Sequence, residues 1–559
     1  MLKKSISVFL KNNLSLIILL LLGTLSWSLT MVKSGIVYPF GMGFWGANGH
    51  DGIWHLALIN NILKGFPIEM PVFSGNLLQN YHIGFDLLVA FLHIETGISI
   101  NALYFQILPP IFSLLIGLLI YLFIWNWRKS KKEAVWAVFF TYFGGSWAWI
   151  IGKGESAFWS QQAVSTLINP PYALSLILIL SGLIYLVKVK KRFRIYDLGF
   201  MSLIFGSLFL IKVYAGVLVL GALLVCGLYE FFVNHKSYII YLFLLTLLIS
   251  VVIFISFNRN SVGMLVWQPF WFLETMMGIS DRLGWTRFYS ALMTYKSGGI
   301  LFKGILAYSL AFAIFVIGNF GTRVLAIRYT LYAIRSKLSS IDLFIFTIIL
   351  SGLIIPTFFL QKGTPWNTIQ FFYYSLFFSG ILTGIVLGKF NKWLIAIFVV
   401  LTIPTTIITL KAVYLPRRPP ATLLKEELSA LEFLKGQPDG IVLTYPYDPI
   451  KAKEAEVNPP RPLYLYESTA YVSAFSGKTT FLEDEVNLNI TGYDWPTRRV
   501  DIENWYKEPN EAKAREFLKN NNIRYIYWVK GQRAFLGEGQ LGLIRLFENS
   551  EVDIWKVGN

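Results

Sequence analysis

Long apolar runs recur along the first three quarters of the chain, and each is long enough to cross the roughly 30 Å hydrocarbon core of a bilayer. The first run follows several lysines and has no small-residue cleavage site, which indicates a retained signal-anchor helix. The pattern predicts about eleven membrane-spanning helices, at about 14–32, 101–127, 133–151, 168–187, 196–211, 214–233, 237–257, 300–320, 341–360, 367–388 and 393–411.

Clusters of Lys and Arg orient these helices. They follow the second, fourth, eighth and tenth spans, so all four lie on one side, which the positive-inside rule makes cytoplasmic. The N-terminus is then cytoplasmic, and the segment after the last span lies outside. Residues 80–97 are apolar enough to span too, but an extra span would put the basic cluster at 128–132 outside. We therefore interpret 80–97 as a re-entrant or interfacial helix that shares the first outer loop, 33–100, with a surface helix at about 51–64.

The last quarter of the chain has a different pattern, which begins after a proline-rich linker at 416–420. Apolar residues alternate there between helical and strand periods, which is typical of a layered α/β domain. The predicted elements are helices at about 423–435 and 509–521 and strands at 441–445, 523–529, 542–547 and 552–557. The predicted fold is thus a polytopic α-helical membrane domain, 1–412, with a small extracytoplasmic α/β domain, 413–559.

Composition and charge support this division. Of 559 residues, 55% are hydrophobic and only 14% are charged, against about 25% charged in soluble proteins. Residues 1–419 hold 32 basic and 11 acidic residues, and residues 420–559 hold 17 and 21. The net charge of +17 therefore belongs to the membrane part, where cytoplasmic loops explain it, and it does not indicate a nucleic-acid partner. The single cysteine, Cys226, excludes an intrachain disulfide and a cysteine-based metal site.

Asp51 is the most informative acid of the membrane part. It lies between His50 and His55 directly after the first span, on the predicted outer side. An acid near the hydrocarbon region is costly and often functional, although aspartate also serves as an N-cap, here for the helix at about 51–64. With His82 and His93, four of the five histidines fall in this loop. They either pack at the interface or, since imidazole and carboxylate ligate divalent cations, hold Mg²⁺ or Mn²⁺ at Asp51 and His55.

Basic and polar residues on the same predicted side complete the candidate site. Lysines and arginines suit a phosphate at the membrane face, although lipid headgroups attract them as well. This basic group comprises Lys212, Arg259, Arg282, Arg287, Lys296 and Lys362, of which Lys212, Arg282, Arg287 and Lys362 are the proposed phosphate ligands. Polar and aromatic residues at the outer helix ends indicate a substrate cavity, which we expect to include His50, His55, His82, Tyr214, Asn169, Trp366, Asn367 and Gln370.

These features together resemble the GT-C superfamily, which are membrane glycosyltransferases that use polyprenyl-phosphate sugars. The resemblance lies in Asp51 after the first span, in the two helices of the first outer loop, and in Lys212 at the end of a short span before the small-residue turn at Gly216. Many members have a paired acidic motif where this chain has Gly52 after Asp51. The second acid would then be Asp86, Glu155 or Glu69.

The resemblance implies an inverting sugar transfer from a polyprenyl-phosphate donor to a glycan, lipid or protein acceptor on the extracytoplasmic face of the plasma membrane, in glycan biosynthesis of the cell envelope. Asp51 would act as general base, and the basic group would stabilise the leaving phosphate. Two other functions remain open. One is a flippase or transporter of lipid-linked sugars, which would place polar residues near the midplane, and the other is a non-catalytic envelope scaffold.

Overall fold

A computed structural model describes residues 2–189, 193–258, 265–336, 338–508, 510–533, 536 and 540–558. The chain forms two compact units. The helical unit comprises Met1–Thr30, Pro109–Ser256 and Val262–Leu415, and the α/β unit comprises Met31–Leu108, Phe257–Ser261 and Pro416–Asn559. The first outer loop thus belongs to the same unit as the C-terminal segment. The predicted division at residues 412 and 413 refers to the membrane boundary and stays a prediction.

Membrane-spanning character is clear in the long helices of the chain. Eight helical stretches in the described ranges are long and apolar enough to cross a membrane: Ile100–Arg128, Pro170–Val189, Val213–Asn234, Tyr238–Phe257, Leu301–Arg335, Ser340–Phe358, Pro365–Leu387 and Lys392–Tyr414. Shorter apolar helices occupy Asn13–Ser28 and Ile195–Ile211. The chain is therefore a multi-pass helical membrane protein, and the number of spans remains a prediction.

The helical unit contains sixteen α-helices within the described residues, and one short antiparallel strand pair, Leu265–Trp267 with Phe359–Gln361. The helices are Leu2–Ser28, Leu108–Arg128, Lys131–Phe143, Pro170–Val189, Ile195–Gly206, Leu208–Ile211, Val213–Asn234, Tyr238–Phe257, Trp271–Gly278, Thr286–Ser297, Leu301–Phe320, Ala326–Arg335, Ser340–Phe358, Gln370–Leu387, Lys392–Thr402 and Pro404–Thr409.

One predicted span, 133–151, ends early. The helix begins after the N-cap Ser130, whose side chain accepts a hydrogen bond from the Glu133 amide, and it ends at Phe143. Gly144 is the C-cap residue, and the next glycine, Gly145, leaves no room for a side chain, because a Cβ there would lie 2.5 Å from the Thr405 side chain. At 13 residues this helix is too short to cross a bilayer by itself.

Two sheets build the α/β unit. In one, the strand order is Ile441–Thr444, Ile523–Val529, Val552–Val557 and Leu543–Glu548; the first pair is parallel and the other two pairs are antiparallel. The other sheet runs Ile36–Tyr38, Gly41–Phe44, Ala421–Leu423 and Arg461–Pro462, with Met42 opposite Leu423. The first outer loop and the C-terminal segment therefore share a sheet, which explains why they form one unit.

The predicted strands and helices of the C-terminal segment are confirmed, with boundaries shifted by one or two residues. The α-helices of the α/β unit are Asp51–Ile62, Gly84–Thr96, Ile100–Ala102, Lys425–Lys435, Pro449–Ala455, Leu463–Tyr466, Tyr471–Ser476, Glu485–Thr491, Trp495–Trp505 and Glu511–Asn520.

The two helices predicted in the first outer loop are Asp51–Ile62 and Gly84–Thr96. The first differs from a surface helix, because nearly all of its residues are buried. Helix Tyr471–Ser476 packs on it, and Asn60 Nδ2 donates a hydrogen bond to the Ala474 carbonyl at 2.7 Å. The face that was expected to meet lipid is covered by the C-terminal segment instead.

Candidate functional site

Asp51 opens helix Asp51–Ile62. It occupies the first helical position, whereas His50 holds the N-cap position and makes no side-chain capping bond. The alternative interpretation of Asp51 as an N-cap is therefore wrong. Its side chain is 49% exposed, and the positive end of the helix dipole favours a carboxylate there. Asp51 is thus accessible to a second molecule, although it begins a buried helix.

His50 connects Asp51 to the C-terminal segment. The buried imidazole lies with Nδ1 2.9 Å from Asp51 Oδ1 and with Nε2 3.3 Å from Asp484 Oδ1. Burial alone lowers the pKa of His50. The charge of Asp484 and the hydrogen bonds to Asp484 and Asp51 outweigh that effect and hold the pKa well above its ordinary value. Protonated His50 donates from Nδ1 to Asp51 and forms an ion pair with Asp484 through Nε2, which fixes the orientation of Asp51.

Asp484 is itself held in place. It has a φ of +49° and caps helix Glu485–Thr491, with Oδ1 accepting a hydrogen bond from the Asn487 amide at 3.0 Å. Asn487 Nδ2 donates to Oδ2 at 2.8 Å. Glu467 adds a third carboxylate, which interacts electrostatically with His50, Asp51 and Asp484; burial raises its pKa.

A second imidazole and carboxylate pair lies deeper in the same unit. His55 Nδ1 is 2.7 Å from Asp86 Oδ1, and both side chains are buried. Burial raises the pKa of Asp86 although His55 opposes that shift, and Asp86 Oδ2 has no hydrogen-bond partner among the described residues. His82 stacks on Tyr81, with ring centroids 4.7 Å apart. Three of the predicted cavity residues, His50, His55 and His82, therefore belong to this part of the α/β unit.

These residues do not form a binding site for the predicted cation. Nowhere in the described ranges do three His, Cys, Asp or Glu side chains converge in a metal-ligand geometry. The His55 imidazole is hydrogen-bonded to Asp86, and the His50 imidazole is hydrogen-bonded to Asp51. The predicted pair of Asp51 and His55 is therefore not brought together around a shared cation position, and a divalent cation stays a prediction.

The other two candidates for a second acid have different surroundings. Glu69 is exposed, and its backbone bridges to Leu77. Glu155 belongs to the helical unit, where Ser165 Oγ donates a hydrogen bond to its Oε1 at 2.5 Å. Burial raises the pKa of Glu155 to about 7. Of the three candidates, only Asp86 is a buried acid in the unit that carries Asp51.

The predicted phosphate ligands lie in the helical unit. Lys212 is buried in an extended break between helices Leu208–Ile211 and Val213–Asn234, with its ammonium 5.4 Å from the Tyr214 ring. Arg282 lies 4.3 Å from the Trp159 ring and donates from Nη1 to Ser156 Oγ at 3.0 Å. Arg287 and Lys362 are exposed. Arg259 lies outside the described residues, and Lys296 pairs with Glu274 at 2.7 Å.

The remaining predicted cavity residues form two hydrogen-bonded groups in the helical unit. Asn169 Nδ2 donates to Gln370 Oε1 at 3.4 Å, and Gln370 Nε2 donates to Asn367 Oδ1 at 3.3 Å, so these three residues are brought together. Tyr214 instead donates to Gln361 Oε1 at 2.9 Å. Trp366 is 46% exposed.

The structure corrects the environment that the charge pattern predicts for Arg323. Its position in a cluster after the eighth span predicts a cytoplasmic loop residue, but the structure buries it in the helical unit. It donates to the Asn319 carbonyl at 2.7 Å and to the Gln162 side chain, and it lines a cavity of about 370 Å³ with Tyr172. Two of its acceptors, the Asn319 and Phe320 carbonyls, are local, whereas Gln162 lies far away in the sequence, and no local pattern predicts that contact.

Asp484 and Glu467 are the site residues that sequence reasoning did not select. Both lie in polar stretches of the C-terminal segment, 467–477 and 484–485, but that segment holds 21 acids, so neither could be assigned to the site. Only the fold brings them to His50.

Solved structures with a similar fold include those of the Archaeoglobus fulgidus oligosaccharyltransferase. The apo form of the Archaeoglobus fulgidus oligosaccharyltransferase gives a TM-score of 0.50 at 13% identity, over 92% of this chain and 69% of that chain. The same enzyme in complex with Zn and sulfate gives 0.50 at 14% identity, over 91% and 68%. No family model and no curated protein matches the chain. The chain therefore shares the fold of this oligosaccharyltransferase over most of its length.

Proposed function

We propose that this protein is a membrane glycosyltransferase that moves a sugar from a polyprenyl-phosphate donor to an acceptor on the extracytoplasmic face. One observation carries the proposal: a half-exposed Asp51, fixed by buried His50, at the start of a helix in a GT-C fold. A carboxylate that is both oriented and accessible suits a general base, which must reach the proton that it removes.

The chemistry is a single displacement. The acceptor hydroxyl gives its proton to Asp51, and its oxygen forms a bond to the anomeric carbon of the donor sugar. The bond between that carbon and the lipid phosphate breaks, and the phosphate leaves with the electron pair. Attack from the face opposite the phosphate inverts the anomeric centre.

Negative charge develops on the phosphate as it leaves, and positively charged side chains at that position stabilise it. We assign this role to Lys212, Arg282, Arg287 and Lys362, of which Lys212 and Arg282 are the most confined. Cations at the boundary of apolar helices commonly mark the path of an anionic substrate, and Lys212 lies in an extended break between two such helices. We also propose that the N-terminus is cytoplasmic and that the α/β unit lies outside.

The test compares Asp51→Asn with Asp501→Asn, an exposed aspartate elsewhere in the α/β unit. We expect purified Asp51→Asn to bind a fluorescent polyprenyl phosphate as the wild type does. Its transfer of sugar in vesicles should fall by at least about 100-fold, which is typical of a lost general base. Asp501→Asn should retain transfer.

Two results would contradict this function. Unchanged transfer by Asp51→Asn would remove Asp51 as the base. Movement of the intact lipid-linked sugar across a vesicle membrane without any new glycosidic bond would instead indicate the flippase.

A further inference from the structure

An open cleft lies in the C-terminal segment next to Asp484. Five tyrosines line it, together with four acids, and these are Tyr445, Tyr447, Tyr464, Tyr471, Tyr527, Glu467, Glu483, Asp484 and Glu485. Asp484, in the wall of the cleft, lies 3.3 Å from His50, and His50 lies 2.9 Å from Asp51. The His50 imidazole therefore connects the cleft to the proposed base.

Most of the acidic charge in the cleft is already neutralised. Glu483 accepts hydrogen bonds from the Val472 and Ser473 amides at 3.0 Å each, and burial raises its pKa to about 8, so it is largely protonated near neutral pH. Glu485 pairs with Arg499 at 2.5 Å. With Asp484 held by His50, the cleft is not a trap for cations.

Two lining groups remain available to a ligand. Thr469 is buried, and its Oγ1 has no hydrogen-bond partner among the described residues. A buried hydroxyl without a partner costs about 1–3 kcal/mol, so a ligand that satisfies it gains affinity. Glu467 is only partly buried and makes no ion pair with any described residue. Its carboxylate is an acceptor for hydroxyl groups.

The cleft does not suit an extended peptide. Peptides commonly bind by adding a strand to a free sheet edge. The strand that ends at the cleft, Ile441–Thr444, pairs with Ile523–Val529 on one side. On its other side, Val442 donates to the Thr479 carbonyl at 3.0 Å and accepts from the Phe481 amide at 2.8 Å. Both edges are occupied, so recognition there relies on side chains.

We propose that this cleft binds the acceptor and that the acceptor is a carbohydrate. Tyrosine offers a broad apolar ring face with a polar tip, which matches a sugar ring that carries hydroxyl groups. Glu467 and Thr469 hold acceptor hydroxyls, and the hydroxyl that reacts lies toward Asp51. The inference rests on the proposed transferase function, because it names the acceptor of that reaction.

The experiment measures binding apart from turnover. Full-length protein in fluorescent nanodiscs is applied to an array of neutral oligosaccharides, with Asn-Val-Thr peptides as separate spots. We expect binding to oligosaccharides and a loss of affinity of at least about tenfold in Glu467→Gln and Thr469→Val. The matched variants Glu516→Gln and Thr497→Val change exposed residues outside the cleft and should bind as the wild type does.

Asp51→Asn separates the two proposals, because it should retain oligosaccharide binding while it loses transfer. Wild-type transfer by Asp51→Asn together with tenfold weaker binding in the cleft variants would overturn the base and retain the cleft. Binding to the peptides alone, no binding to oligosaccharides, or oligosaccharide binding that the cleft variants do not weaken would overturn the carbohydrate acceptor.

Discussion

Glu427 is a buried carboxyl in the α/β unit, and neither of its side-chain oxygens has a hydrogen-bond partner among the described residues. Burial raises its pKa from 4.5 to about 8. A raised pKa in the folded state means that the stabilising contribution is fully present below about pH 4.5 and is lost as the pH rises through about 8. The wild type should therefore become less stable toward alkaline pH.

Glu427→Gln should remove this pH dependence, since the amide has a similar shape and does not ionise. We expect the free energy of unfolding of the variant, relative to the wild type, to rise between pH 5 and pH 9 by up to about 5 kcal/mol, at about 1.4 kcal/mol per pKa unit. Thermal unfolding followed by tryptophan fluorescence at several pH values measures it. Glu432→Gln, an exposed residue of the same helix, serves as control; equal pH profiles for the two variants would contradict the prediction.

A single residue can be selected as functional from the sequence when its type is rare in that part of the chain. Asp51 can be selected because only 11 acids occupy the first 419 residues. Its contact through His50 with Asp484 is not predictable from pattern, because more than 400 positions separate the two carboxylates. Loop residues that meet only through tertiary packing leave no periodic signal in the sequence.

Helix Asp51–Ile62 explains why a second acid does not follow Asp51. A Cβ at Gly52 would lie 2.8 Å from the Phe105 ring, and Phe105 is itself fully buried. An aspartate or glutamate at this position would therefore displace the start of the helix. The departure from the paired acidic motif follows from packing rather than from the absence of a function.

Gly52→Ala is the smallest change that tests this constraint. Because the added methyl meets Phe105, we expect the first turn to shift and transfer to fall by at least about tenfold, since misplacement by about 1 Å costs as much or more. Turnover by folded protein is the measurement, with fold retention checked by gel filtration. Gly199→Ala, in a helix with open space around its Cβ, should leave turnover unchanged. Full activity in Gly52→Ala would mean that the helix start tolerates displacement.

Element prediction succeeded where one physical signal dominated. Apolar length located the long helices, and alternating periods located the strands of the C-terminal segment. It failed for the span predicted at 133–151, where the helix ends at Phe143 and two glycines follow, and for Asp51–Ile62, whose apolar residues contact protein.

The whole molecule combines a basic membrane part with a mildly acidic C-terminal segment. The positive-inside rule derives the orientation from the Lys and Arg clusters that follow the second, fourth, eighth and tenth spans, and orientation matters here because a polyprenyl-phosphate transferase of the proposed kind works outside. The structure groups residues 31–108 with 416–559, so the orientation of the C-terminal segment also decides which side holds Asp51.

Cysteine labelling measures this orientation, since the only native cysteine, Cys226, is buried and gives little background. Ser429→Cys lies on an exposed face of helix Lys425–Lys435, and Ser336→Cys follows helix Ala326–Arg335 in a predicted cytoplasmic loop. In right-side-out vesicles, a membrane-impermeant maleimide should label the Ser429→Cys variant at once and the Ser336→Cys variant only after detergent is added. The reverse order would place Asp51 in the cytoplasm. The donor sugar, the catalytic base and the acceptor would then all lie on the inner face of the membrane.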